Sequence, residues 1–210
     1  MKFLALDTTK LKSYIFLIND GKKSVTVLEE TRKVSENLLL EIDNLLLKNG
    51  LTLADIDIFG AVVGPGSFTG VRIGLATLKA FNNALNKKLI KLNAFEAFAE
   101  KIRNGILLLS STKTAVYYAK IENAKIGDMG VAEIDKIDNI FSGEKCYIIE
   151  ETLQNIEDAE FIKGYEQYIF AAFENKITAK EYVLDQDFAP LYLQLSQAEL
   201  NLKRKENGGN

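Results

Sequence analysis

The stretch Gly64-Pro65-Gly66-Ser67-Phe68-Thr69-Gly70-Val71-Arg72-Ile73-Gly74 constrains this chain more than any other. The apolar run Ile58 to Val63 precedes it, and a helical pattern from about Thr69 to Leu85 follows. The stretch therefore reads as a tight strand-to-helix turn. Glycine allows positive φ and close backbone approach. Pro65 fixes one φ and has no N–H to donate. Ser67 or Thr69 can cap the helix. Such a corner aims free N–H groups and a helix N-terminus at one spot, an arrangement that suits an anion. It equally describes a well-capped turn that binds nothing. It is not a P-loop, because no GK[ST] ending follows, and its glycine spacing is not GxGxxG.

The segments before it set the frame. Phe3 to Leu6 reads as a strand ending in the polar corner Asp7-Thr8-Thr9, Tyr14 to Ile18 as a second and Ser24 to Leu28 as a third. Asn19-Asp20-Gly21 is a hairpin signal. The two threonines can face a phosphate or make local turn bonds. A helix is expected from about Ser35 to Lys48, closed by Asn49-Gly50. Leu38, Leu39, Ile42, Leu45 and Leu46 form one arc for the sheet. Leu40 and Leu47 fall on the other side, where a surface helix is normally polar. They are covered either by a neighbouring helix of the chain or by a partner. In the second helix, Val71, Leu75 and Leu78 form an apolar stripe. Gly70, Gly74, Thr77 and Ala84, with Phe81 among them, form a stripe of small residues that admits a close neighbour. Ile56 to Val63 is nearly unbroken apolar sequence, as for a central strand covered on both faces.

Lys88 to Leu92 reads as a strand and Phe95 to Ile102 as a helix, which closes a first lobe near Asn104-Gly105. The same grammar then restarts. Ile106-Leu107-Leu108-Leu109-Ser110-Ser111-Thr112-Lys113 parallels Phe3 to Lys10 in order and spacing. Ala115 to Ile121 parallels the second strand, and Val131 to Ile134 and Cys146 to Glu150 supply more. The division expected is residues 1–104 for the first lobe and 105–210 for a smaller second one. Glu166 to Asn175 reads as a helix, and Ser196 to Lys205 as a short terminal one. Lys203-Arg204-Lys205 reads as a solvated end or a touch-point for RNA.

Composition narrows the chemistry. The 210 residues contain no histidine, so the commonest general base and transition-metal ligand are missing. Zinc hydrolysis and Ser-His-Asp chemistry in their usual forms are excluded. The formal charge of −3 argues against a stand-alone nucleic-acid grip, which phosphate neutralisation would drive. Cys146 is the single cysteine, no apolar run spans a bilayer, and Met1-Lys2 leads straight into a strand; a cytoplasmic protein is expected.

GPGSFTGVRIG, together with Asp7-Thr8-Thr9, closely resembles the TsaB (YeaZ) family. Pro190-Leu191-Tyr192-Leu193-Gln194 is similar to the family's closing P-x-Y-L-R, with Gln194 where arginine is common. The resemblance implies an α/β, two-lobed actin/hexokinase-like (ASKHA) fold with a duplicated strand-hairpin-helix unit and a reduced second lobe. It implies a non-catalytic subunit that pairs with TsaD, joined by the ATPase TsaE, for threonylcarbamoylation of adenosine 37 in tRNA. In such folds a nucleotide sits between two hairpin corners. Here the degenerate nucleotide-type cleft would comprise Asp7, Thr8, Thr9, Gly64, Gly66, Ser67, Thr69 and Gly70. The partner interface would comprise Leu40, Leu47, Gly70, Ile73, Gly74, Thr77 and Phe81, and the same helices could pair two copies of the chain.

The chain departs from the family twice. Ser110-Ser111-Thr112 stands where Asp-Ala-Arg is usual, and Val34-Ser35 lacks a histidine often found there. Neutral serine cannot hold Mg²⁺ as a carboxylate does. No catalytic residue, metal or required cofactor is therefore expected, and ATP or ADP binding is doubtful. The alternatives are a small-molecule kinase, which needs an aspartate base and a Mg²⁺ site between the lobes, and a peptidase, for which the chain lacks a metal site.

Overall fold

The computed structural model describes residues 1–29 and 34–194. Strands β1 (Lys2–Asp7), β2 (Ser13–Asn19) and β3 (Lys22–Leu28) form an antiparallel meander. Asp20 and Gly21, at φ of 47° and 89°, make its tight turn. Two positive φ values in a two-residue loop match the strands' twist. Helix α1 (Val34–Lys48) crosses to β4 (Ile58–Gly64), which lies parallel to β1. Helix α2 (Phe68–Leu85) crosses to β5 (Lys88–Asn93), parallel to β4. The sheet order is β3-β2-β1-β4-β5.

A 3₁₀ turn at Glu96–Phe98 and the short α3 (Ala99–Ile102) replace the single helix expected there. The second sheet then repeats the first strand for strand. Strands β6 (Gly105–Ser110), β7 (Ala115–Glu122) and β8 (Lys125–Glu133) are antiparallel. After the short α4 (Ile137–Ile140), β9 (Cys146–Ile148) runs parallel to β6, and β10 (Glu160–Phe161) parallel to β9. The order β8-β7-β6-β9-β10 is that of the first sheet, position for position. Helix α5 (Tyr165–Thr178) follows. The expected Ser196–Lys205 helix and the basic Lys203-Arg204-Lys205 lie outside the described residues.

Alternation along the strands sends successive side chains to opposite faces. Leu4, Leu6, Ile15, Leu17, Phe59 and Ala61 face α1 and α2 in an outer core. Phe3, Ala5, Phe16, Ile18, Ile58 and Val62 face inward, where they join Leu107, Leu109, Tyr117 and Ala119 of the second sheet in one continuous core. Helix α5 lies in that shared core. Phe173 sits 5.0 Å from Phe3, Phe170 is edge-on to Phe16 at 5.0 Å, and Tyr165 is 5.1 Å from Tyr14. Each such pair adds about 0.5–1.5 kcal/mol beyond its burial. Gly60 makes room: a Cβ there would stand 2.6 Å from the Phe3 ring.

Helix α1 buries Leu38, Ile42, Leu45 and Leu46. Leu39, expected on that arc, is instead 56% exposed. A residue one step from Leu38 turns about 100° round the helix, which carries Leu39 off the arc's edge. Leu40 and Leu47 are 57% and 74% exposed, so no other described element of the chain covers them.

Candidate functional site

The Gly-rich corner is held from three sides. Ser67 caps α2, its Oγ accepting the Gly70 N–H at 3.1 Å. The Ser67 N–H donates to Thr9 O at 2.7 Å, which ties the corner to the β1 hairpin. The closing segment returns to it: Leu191 N–H donates to Val63 O at 2.8 Å, and Tyr192 stacks on Phe68 at 4.5 Å. Arg72 Nε donates to the Tyr192 hydroxyl at 2.8 Å. The similarity of Pro190 to Leu193 to a family motif therefore has a structural basis. The segment is the cover of the GPGSFTG turn.

The glycines show what the close approach serves. A Cβ on Gly70 would meet Thr8 O at 1.9 Å, and one on Gly74 would meet Thr8 Oγ1 at 2.4 Å. Thr8 Oγ1 donates to Gly70 O at 2.7 Å. Gly66, at φ +159°, would place a Cβ 2.3 Å from Thr9 O, and Gly64, at φ +122°, 2.6 Å from Leu191 O. The neighbour admitted by Gly70 and Gly74 is thus the chain's own β1 corner. Gly74 is buried, whereas Ala84 at the far end of the stripe is exposed. Ile73, Thr77 and Phe81 are partly buried; Ile73 and Phe81 lean on the outer core, with Phe81 5.8 Å from Phe59.

The first corner is sealed from solvent. Asp7 has no exposed surface, and Thr8 and Thr9 are 3% exposed. Asp7 Oδ1 accepts the Thr9 N–H at 2.8 Å and the Thr9 hydroxyl at 2.6 Å. Oδ2 accepts the hydroxyl of Tyr165, from the start of α5. Burial, reinforced by the Asp7 charge, pushes the Tyr165 phenol well above its ordinary value, so it stays protonated as the donor.

The second corner carries a carboxylate after all, from an adjacent strand. Glu150 stands just past β9, the strand parallel to β6, and its Oε1 accepts the Ser110 N–H at 3.1 Å. The same oxygen receives Lys10 Nζ at 3.1 Å. Ser110 Oγ lies 2.8 Å from Thr152 Oγ1. Forty residues separate Ser110 from Glu150, and nothing in the local sequence marks the pair. Tyr165 and Lys10 were missed for the same reason.

An open cleft of about 400 Å³ lies beside these groups. Its walls include Lys10, Lys12, Lys163, Glu150, Glu151 and Glu166, so three lysines balance three glutamates. None of the residues expected to form the nucleotide-type cleft lines it. Tyr14 does line it, and burial, with the Glu166 charge next, pushes its phenol up to about 12. Among the described residues no helix is long and apolar enough to cross a membrane.

A protein-family model described as "TsaD: tRNA N6-adenosine threonylcarbamoyltransferase" matches residues 28–201. A Haemophilus influenzae protein named tRNA threonylcarbamoyladenosine biosynthesis protein TsaB is 26% identical over 95% of this chain and 86% of its own. A Pseudomonas aeruginosa structure described as similar to the peptidase YeaZ superposes with a TM-score of 0.72 at 18% identity, over 92% of this chain and 99% of that one. A Bacteroides thetaiotaomicron protein with an actin-like ATPase fold gives 0.51 at 8% identity, over 83% and 95%. The fold is the two-lobed, actin-like α/β fold that the duplicated strand order describes.

Proposed function

The chain belongs to the TsaD-type family and, within it, to the TsaB (YeaZ) family; on that premise we propose that it serves tRNA threonylcarbamoyladenosine biosynthesis as a non-catalytic partner of a TsaD subunit. One observation carries the pairing. Leu39, Leu40 and Leu47 project from α1 at 56%, 57% and 74% exposure, beside Glu36 and Asp43 on the same face. Contiguous leucines on the outside of an otherwise satisfied helix mark an interaction surface. Helix α1 docks on TsaD, with the part-exposed Ile73, Thr77 and Phe81 of α2 at the margin. Two copies of the chain can pair through the same face when TsaD is absent.

The absence of a catalytic role rests on the corners. Both oxygens of Asp7 are engaged, by Thr9 and Tyr165, and Glu150 Oε1 takes Ser110 and Lys10. Asp7, the carboxylate of the first corner, is thus committed to the chain's own hydroxyls and not to Mg²⁺ or an attacking hydroxyl, which argues against the kinase reading. No nucleotide is required in this account. The tRNA reaches the chain through the complex, TsaE joins the same assembly, and all of this takes place in the cytoplasm. Size-exclusion chromatography with light scattering, on the chain alone and mixed with TsaD of the same cell, tests the pairing. A one-to-one complex that displaces any self-dimer is expected. Two separate peaks at micromolar concentration would refute it.

A further inference from the structure

Two carboxylates face each other across the lobes, and each makes the same pair of contacts. Asp7 holds its own hairpin through the Thr9 N–H and takes the Tyr165 hydroxyl from the other lobe's helix. Glu150 holds the second hairpin through the Ser110 N–H and takes the Lys10 ammonium from the first. Lys10 and Glu150 are only 9% and 14% exposed, and Lys10 also sits 5.3 Å above the Tyr165 ring. The four side chains therefore meet at one place, between the hairpin corners.

We infer that Asp7, Lys10, Glu150 and Tyr165 form a latch that fixes the opening between the two lobes. The physical reason is reciprocity. Separating the lobes would strip Glu150 of its cation and Asp7 of a donor together. A buried charge left without its partner costs far more than the intact pair contributes. Behind the latch, α5 buries Phe170 and Phe173 against the first sheet. Folds of two lobes commonly close by hinge or shear around a ligand. This chain instead holds one rigid shape by its own side chains. The inference stands on these contacts and does not depend on pairing with TsaD.

The test uses the full chain with Cys146→Ser and nitroxide labels at Val25→Cys and Val131→Cys, on the edge strands of the two sheets. Pulsed dipolar spectroscopy should give one narrow distance, unmoved by millimolar Mg-ATP. Lys10→Met with Tyr165→Phe keeps both side-chain bodies and removes the ammonium and the hydroxyl. In that variant the distance should broaden, and amide exchange at Thr9 and Ser110 should quicken roughly tenfold or more, as local opening replaces global unfolding. A broad or Mg-ATP-shifted distance in the latched chain overturns the inference. So does an unchanged distance in the folded variant. Should the double variant not fold, the latched chain with and without Mg-ATP decides.

Discussion

The two sheets share one strand order, yet their outer faces have diverged. Over the first sheet lie α1 and α2, of 15 and 18 residues, on an outer core that runs from Leu4 to Phe188. Over the second, among the described residues, lie only the four-residue α4 and 3₁₀ turns, on a smaller core around Ile106, Leu108 and Ile148. The inner faces of the two sheets meet in one continuous core, in which α5 lies. The difference teaches which faces are committed to the common core and which are open to other uses. A face that must bury a common core keeps its pattern, whereas an outer face can be enlarged into a docking surface or trimmed to a cover. The first face carries three exposed leucines on one helix, and the second only Ile140 on its helix, at 52%.

The most damaging way to break this comparison is to attack what the lobes share. Phe173→Ala should cost about 3–5 kcal/mol, as for a large aromatic removed from a core. Denaturant unfolding should remain one transition for both sheets; two transitions would show that the lobes fold separately. Next comes the first lobe alone. Gly74→Leu should destabilise the isolated chain by roughly 1–3 kcal/mol through overpacking against Thr8. A variant of unchanged stability would mean that the helix moves freely off the β1 corner. The smallest effect sharpens the role of the turn: Ser67→Ala should cost about 0.5–2 kcal/mol as a lost cap, measured as a shift in the denaturant midpoint.

Much of the fold was legible because it is periodic. Phe3 to Leu6, Tyr14 to Ile18 and Ile58 to Val63 alternate or run apolar as strands must, and Asn19-Asp20-Gly21 names its own turn. Even the duplication was visible in the order of segments, though Ile106 to Lys113 shares little identity with Phe3 to Lys10. The site was less legible. Its key contacts join residues far apart in sequence: Asp7 with Tyr165, Ser110 with Glu150, Val63 with Leu191. No local pattern encodes such pairs. The small-residue stripe was read correctly as a place of close approach, but spacing alone cannot say whether the neighbour is another chain or Thr8. Leu39 failed for a geometric reason, since an arc drawn one position too wide crosses from core to solvent.

The central claim is that the first lobe's outer helix, and not the second's, is the docking face. The most direct test places the same charge on each and measures affinity for TsaD by calorimetry. Leu40→Asp with Leu47→Asp on α1 should weaken pairing by about tenfold or more, with an unchanged circular dichroism spectrum and unfolding midpoint. Ile140→Asp on α4 should leave the affinity as it is. Wild-type affinity in the α1 variant, or an equal loss from Ile140→Asp, would contradict the account.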